Sequence, residues 1–257
     1  MNVLRLLLAV LLASVPTVAR AAETPPAWTS VTFGGVKLGE PMSAVRARLG
    51  DPVHDEDLGK GFLKARYLGD HNHVYLGVTH KNGNVAMVSL TPTPWSNEAA
   101  AADPFGVKFG ITEDALVRLR GKPDSTDNGD GANRLLYGTS ARWEYVIKDG
   151  KVSMITLIAP PAELAALPAT VVPAAHQGAS FRDAVVVIAS NEIDGVGWEH
   201  IYVNDNACTG QGKPAFAGQA LSTHGSHAYD IITVTCGGDK KTSRDYIFDI
   251  TAYFGKL

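Results

Sequence analysis

The residue types that carry acid–base chemistry gather in the last third of the chain. They are Glu199, His200, His224, His227 and Asp230, with Ser222, Thr223 and Ser226 as hydroxyl nucleophile types beside them. Joined in one pocket, such groups would make a hydrolase. The local signatures of that chemistry are missing: there is no G-x-S-x-G elbow, no H-E-x-x-H helix and no Gly-rich phosphate loop. Loop histidines and serines without such a frame read as solvated polar groups, so no catalytic residue is assigned and a non-enzyme is expected. A hydrolase centred on residues 179–257 is an alternative that requires a deep pocket joining one of the histidines to a carboxylate.

A second cluster, His54-Asp55-Glu56-Asp57 with Asp70-His71-Asn72-His73, has the donor types of a metal site. His-x-His on a strand would place both rings on one face, as zinc requires. The corresponding stretches further along, residues 124–131 and 139–142, contain no histidine. Two polar loops bordering a strand account for the cluster, and no metal and no cofactor are expected. Cys208 and Cys236 are the only cysteines. Neither belongs to a C-x-x-C pair, and in an oxidising compartment they are expected to form one disulfide.

Aromatic residues offer a different chemistry, that of protein contact. Val74, Leu76 and Val78 alternate with His73, Tyr75, Gly77 and Thr79. If the aliphatic set faces a helix, His73 and Tyr75 point outward. Trp143 and Tyr145 share one face of their own strand, and Trp95 sits in a Pro-flanked link. Exposed aromatics on a sheet are typical anchors for a protein partner. The candidate protein-binding residues are therefore His73, Tyr75, Trp95, Trp143 and Tyr145, the alternative being that some of these rings are core beneath a helix.

The elements that must position these residues come twice. Gly35-Val36-Lys37-Leu38-Gly39 returns as Gly106-Val107-Lys108-Phe109-Gly110, Gly50-Asp51-Pro52 as Gly121-Lys122-Pro123, and Asn82-Gly83 as Asp149-Gly150. In the second copy Thr112 can cap a helix whose first turn holds Glu113 and Asp114; Ala115, Leu116 and Leu119 form its apolar stripe, and Gly121 and Pro123 end it. The first copy uses Ser43, Ala44, Val45, Leu49, Gly50 and Pro52 in the same way. Strands follow in each copy, with Asn-Gly and Asp-Gly as type I′ hairpin turns. Each copy thus reads as a short helix followed by three or four antiparallel strands.

This order of G-V-K-[LF]-G, short helix, G-x-P, strands and [ND]-G hairpin resembles the helix-plus-sheet repeat of the β-lactamase-inhibitor-protein-like group. The small lipoprotein of the outer-membrane barrel-assembly machine shares that unit. The resemblance covers residues 31–158 and rests on turn and cap positions. It implies two units side by side whose sheets form a concave, aromatic-rich face gripping a partner protein. The chain departs from the inhibitor family in having no cysteine in its repeats and in carrying a further unit from residue 179 onward, for which no resemblance is found.

The ends and the composition set the compartment and the partners. Residues 1–21 have the form of a secretory signal, with Arg5, an apolar run from Leu6 to Leu12, and a small-residue cleavage site near Ala21/Ala22. That segment is too short to span a bilayer, and no cysteine follows it to carry a lipid anchor. Its removal takes Lys+Arg from 23 to 21 against 26 Asp+Glu, a formal charge of about −5. Nucleic acid is an unsuitable partner for that balance, there being no basic patch with interleaved aromatics. A periplasmic or secreted protein without a transmembrane segment or lipid anchor is expected.

The expected fold class is α+β. It comprises repeat 1 over residues 31–90, repeat 2 over 104–158, a Pro/Ala linker over 159–178 and a mostly β unit over 179–257. In that last unit, strands are expected at 184–189, 198–203, 231–236 and 246–251. The expected function is binding of a protein partner of unknown identity, as an inhibitor or immunity-type protein acting sterically on a secreted or envelope enzyme. An envelope or outer-membrane assembly or structural factor is the alternative.

Overall fold

The computed structural model describes residues 31–69, 73–94, 103–129, 131–138, 141–208, 212–237 and 242–256. The segment read as a secretory signal, and Trp95, lie outside them. The first repeat opens with a small hairpin of β1 (Thr32–Phe33) and β2 (Val36–Lys37), then α1 (Met42–Leu49). Four strands follow: β3 (His54–Gly59), β4 (Phe62–Gly69), β5 (Val74–Lys81) and β6 (Asn84–Pro92). The second repeat has α2 (Glu113–Arg120) and then β7 (Ser125–Gly129), β8 (Ala132–Tyr137), β9 (Arg142–Lys148) and β10 (Lys151–Ile158).

The turn chemistry is that read from the sequence. Asn82 and Gly83 have φ of 52° and 77°, and Asp149 and Gly150 have φ of 51° and 72°, the paired positive values of a type I′ hairpin. Thr112 caps α2 by accepting a hydrogen bond from the Ala115 amide at 3.3 Å, with Glu113 and Asp114 in the positive first turn. The first helix differs. Pro41 is its N-cap and makes no side-chain cap, so Ser43 lies inside the helix rather than at its start.

The two sets of strands do not form two sheets. They merge into one eight-stranded antiparallel sheet in the order β3-β4-β5-β6-β10-β9-β8-β7, joined along β6 and β10, where Ser89 pairs with Thr156 and Leu90 with Ile155. One face packs against the helices. Its core includes Val45 of α1, Leu116 of α2 and, across the strands, Tyr67, Leu76, Leu90, Ile155, Tyr145 and Leu135. Those last six are in register with their neighbours from β4 to β8, so a single row of apolar side chains crosses both repeats.

Residues 159–178 are held against the first repeat. After α3 (Pro161–Ala165), Asn84 Nδ2 donates to the Pro168 carbonyl at 2.7 Å, and the Thr170 hydroxyl donates to the Gly83 carbonyl at 2.7 Å. The segment therefore runs along the β5–β6 hairpin to His176.

The last unit holds a four-stranded sheet, β11-β14-β13-β12, made of β11 (Val185–Val186), β12 (Ala215–His224), β13 (His227–Cys236) and β14 (Thr242–Asp249). Residues 198–203, expected as a strand, belong instead to a 15-residue helix, α4 (Glu192–Asn206). Asn191 caps it by accepting from the Asp194 amide at 2.9 Å. The buried positions Gly195, Trp198, Glu199 and Tyr202 are spaced i, i+3, i+4, i+7, so helical period prevails over the strand-like composition of W-E-H-I-Y-V. Helix α4 lays Trp198, Ile201 and Tyr202 on Val234, Tyr246 and Phe248 of the sheet. Cys208, just after this helix, and Cys236, at the end of β13, form the expected disulfide with Cα atoms 5.2 Å apart.

This unit docks on the first repeat. Gly50, at φ 78°, ends α1 and pairs with Val187; a Cβ there would come within 2.6 Å of the Val186 carbonyl oxygen. Asn206 Nδ2 donates to the Val53 carbonyl at 2.5 Å, and Arg66 pairs with Asp205 at 3.4 Å. Among the described residues no helix is long and apolar enough to cross a membrane.

Candidate functional site

The face of the eight-stranded sheet opposite the helices is set by alternation. Tyr67, Leu76, Leu90, Ile155 and Tyr145 point to the core, so their strand neighbours Arg66, Gly77, Ser89, Thr156 and Glu144 point away from it. These neighbours also share a row: Arg66 pairs with Gly77, Gly77 with Ser89, Ser89 with Thr156, Thr156 with Glu144, and Glu144 with Leu136. The row carries its smallest side chains at the centre and its larger ones toward the ends. Flanking it are half-exposed long side chains, Lys64, Met87 and Met154.

The result is a trough. Its floor is buried, with Ser89 7% and Thr156 1% exposed. Thr156 Oγ1 has no hydrogen-bond partner among the described residues. A Cβ on Gly77 would come within 2.5 Å of Ser89 Oγ and 2.9 Å of Lys64 Cε, so the glycine lets the Lys64 side chain lie low across the floor. On the second repeat, Arg134 pairs with Glu144 at 2.9 Å. Both ends of the floor are thus ion-paired, Arg66 with Asp205 and Glu144 with Arg134, and Lys64 lies between them.

The aromatic anchors expected from sequence divide. Trp143, 6% exposed, and Tyr145, fully buried, lie under the helices in the core, which corrects their reading as contact residues. Trp143 packs edge-on against Phe33 and Phe105. The Tyr145 hydroxyl donates to Asp103, and burial, then that bond, pushes its pKa up. The physical reason is the helices' need for a large apolar surface beneath them, which the odd-numbered positions of β9 supply while Glu144 turns away. Tyr75 does face away from the helices, but the last unit half-covers it: it packs on that unit's core with Leu68, under the Arg66 guanidinium at 5.3 Å. His73 is exposed in the turn before β5, its carbonyl accepting from the Thr93 amide at 2.9 Å. Sequence reasoning missed the trough floor, although the alternation that placed Tyr75 outward places Gly77 on the same face.

The three histidines of the last unit go to three places. His200 packs on Phe216, His224 stacks on Phe181, and His227 Nδ1 lies 2.7 Å from Asp249 Oδ2 at an exposed strand end. Burial acts against the Asp249 charge, but hydrogen bonds from Thr251 and His227 outweigh it and hold the carboxyl below its usual range. Among the described residues no group of three or more His, Cys, Asp or Glu is placed to hold a metal ion.

A cavity of about 500 Å³ does open in this unit, between α4, β12, β13 and the turn after β14. None of the histidines lines it. Its polar groups are Glu199, Asp230, Gln219, Tyr253 and, at its edge, Glu192; its walls include Val196, Leu221, Ile250 and Phe254. Glu199 is fully buried and Asp230 is 2% exposed. Tyr253 donates to Glu199 Oε1 and Gln219 to Asp230 Oδ2. Burial, with Asp230 adding to it, pushes the Glu199 carboxyl up to about 8.

No protein-family model matches the chain, and no curated protein matches it. Among solved structures, it is similar to an extracellular protein containing a SCP domain from Bacillus anthracis str. Ames, at 10% identity and TM-score 0.38 over 49% of this chain and 45% of that one. It is similar to a cysteine-rich secretory protein from Staphylococcus aureus subsp. aureus Mu50, at 15% identity and TM-score 0.35 over 50% and 46%. A candidate β-lactamase inhibitor protein from Streptococcus mutans matches at 17% identity and TM-score 0.21 over 49% of this chain and 88% of that one. The chain thus spans less than half the length of the first two.

Proposed function

We propose that this is an exported protein-binding protein whose contact surface is the trough on the eight-stranded sheet, and that it acts sterically, as an inhibitor or immunity-type protein, on a secreted or envelope enzyme. The observation that carries this reading is the continuous register row Arg66-Gly77-Ser89-Thr156-Glu144. Three adjacent strands present a floor of small side chains, Gly77, Ser89 and Thr156, about 10 Å across at a spacing of some 4.8 Å per strand, bordered by long polar and thioether side chains. Such a surface fits a protruding loop of a folded partner better than a small metabolite. Methionines at its margin adapt to the shape of what they meet.

The disulfide supports export, because such bonds persist in oxidising compartments. The scattered histidines of the last unit favour binding over hydrolysis, since none of them meets a carboxylate inside a cavity.

The test is affinity capture from envelope and secreted fractions with the signal-free protein, comparing the native chain with Lys64→Glu and Met154→Glu. A specific protein captured by the native chain and at least about tenfold less by both variants, at unchanged melting temperature, is the expected result. Capture that both substitutions leave intact removes the trough from the interface. Capture of nothing from either fraction removes the binding role.

A further inference from the structure

We propose that the cavity beside α4 is a binding site for an organic monocation, an ammonium carried on an apolar stem. It lies in the last unit, away from the trough, and stands or falls independently of it.

Three observations meet there. First, two carboxyl residues, both more than nine-tenths buried, line one cavity, and among the described residues each keeps one oxygen with no partner other than the facing carboxyl: Glu199 Oε2 and Asp230 Oδ1. Second, none of the residues lining the cavity is Lys, Arg or His, so the pair has no countercharge in the wall. A buried carboxyl pair without a cation is costly, and burial and mutual repulsion relieve that cost by keeping a proton on the pair. Third, the rest of the lining is apolar. Val196, Ile250, Leu221 and Phe254 surround the polar end, and Leu221 and Phe254 are 66% and 48% exposed, so the apolar wall continues to the mouth.

An ammonium has three donors, enough to meet both free oxygens at once, and its stem would cover the exposed apolar rim. An anion would meet two carboxyls, and a neutral alcohol would bring no positive charge to replace the proton they share. The bound cation takes the place of the proton held between Glu199 and Asp230, and that proton passes to the buffer. The titratable and polar groups facing the pair are Glu192 from α4, Gln219 from β12 and Tyr253 from the final turn. None of these supplies a positive charge.

Two sources share this chemistry, a free alkylamine and the lysine side chain of a peptide, and the experiment separates them. The full signal-free protein is titrated calorimetrically with n-hexylammonium, with 1-hexanol, with hexanoate and with an acetylated, amidated Gly-Lys-Gly peptide. One-to-one binding of hexylammonium or of the lysine peptide, with neither hexanol nor hexanoate binding, supports the site; the tighter of the two cations identifies the source. Proton release on binding at pH 6.5 that disappears at pH 9.5 supports the displacement of the shared proton.

Asp230→Asn should weaken binding about tenfold or more. Because a buried substitution can unsettle the fold, the rim supplies a second variant. Leu221 pairs directly with Asp230 across β12 and β13. Leu221→Lys should place its own ammonium over the pair and block the probe, whereas Leu221→Gln should not. Hexanol binding as well as hexylammonium, equal binding by the native protein and Leu221→Lys, or no saturable binding of either cation below about 10 mM overturns the proposal.

Discussion

His176 and Asp51 lie 125 positions apart in sequence and 2.7 Å apart in space, the imidazole Nδ1 against carboxylate Oδ2. The same carboxylate accepts from the Val186 amide at 2.9 Å and from the His176 amide at 3.3 Å. One side chain, in the turn after α1, therefore clasps the end of the long connecting segment and the first strand of the last unit to repeat 1.

Asp51 is 5% exposed, and replacing it with alanine leaves three donors without an acceptor. Asp51→Ala is expected to cost about 2–4 kcal/mol. The loss should be local: hydrogen exchange should quicken at residues 174–187 while the centre of the eight-stranded sheet stays protected. Uniform exchange across both units after the substitution contradicts the clasp.

Core and contact roles separate cleanly at Trp143. Trp143→Ala is expected to lower stability by about 3–5 kcal/mol. Lys64→Glu, on the opposite face of the same sheet, should change it by no more than about 0.5 kcal/mol. Chemical denaturation of the two variants gives the comparison, and similar losses would mean that the two faces are wrongly assigned.

The sequence shows the repeat because repeats are written in turns. Gly50, Gly121, Asn82-Gly83 and Asp149-Gly150 declare local backbone conformations that depend on nothing distant. Facing and pairing do not have that property. That Trp143 points inward depends on where α2 lands, and that β6 pairs with β10 depends on which strands are left as free edges once each meander has formed. Residues 198–203 read as a strand by composition, while the i, i+3, i+4 spacing that makes them helical begins three residues earlier, at Gly195. Glu199 and Asp230 belong to one cavity only because α4 lies across β13, a relationship that no spacing within either segment contains.

Stability should depend on pH through Glu199. Its folded carboxyl titrates near 8, against an ordinary value of 4.5. Between those values the folded chain holds a proton that the unfolded chain has released, so the contribution of Glu199 is fully present below about pH 4.5 and falls as pH rises toward 8. The fall is limited to about 5 kcal/mol. Glu199→Gln, neutral throughout, should flatten this part of the profile. Denaturant midpoints from pH 4.5 to 9 measure it, and an unchanged slope in the variant would place the titration elsewhere.

The disulfide should act on its own unit. Cys208 and Cys236 are 28 positions apart, and closing a loop of that size stabilises by about 2–4 kcal/mol. Reduction should lower the melting temperature of the last unit and free α4, leaving the eight-stranded sheet folded. A single transition that moves as a whole on reduction would show the two units to be one cooperative block.

The seam between Ser89 and Thr156 has a further consequence. Strands β6 and β10 are the same strand of the two copies, and they pair antiparallel. Equivalent strands paired in this way are related by a two-fold axis through the sheet, the symmetry of an isologous dimer. Two identical chains closed by such an axis would have to place the same side chain at both matching positions. A single chain is free of that constraint. Across the axis Gly77 is matched by Glu144 and Arg66 by Leu136, so the fused pair has a polarity that a symmetric dimer could not have, and a partner seated on it has one orientation to take.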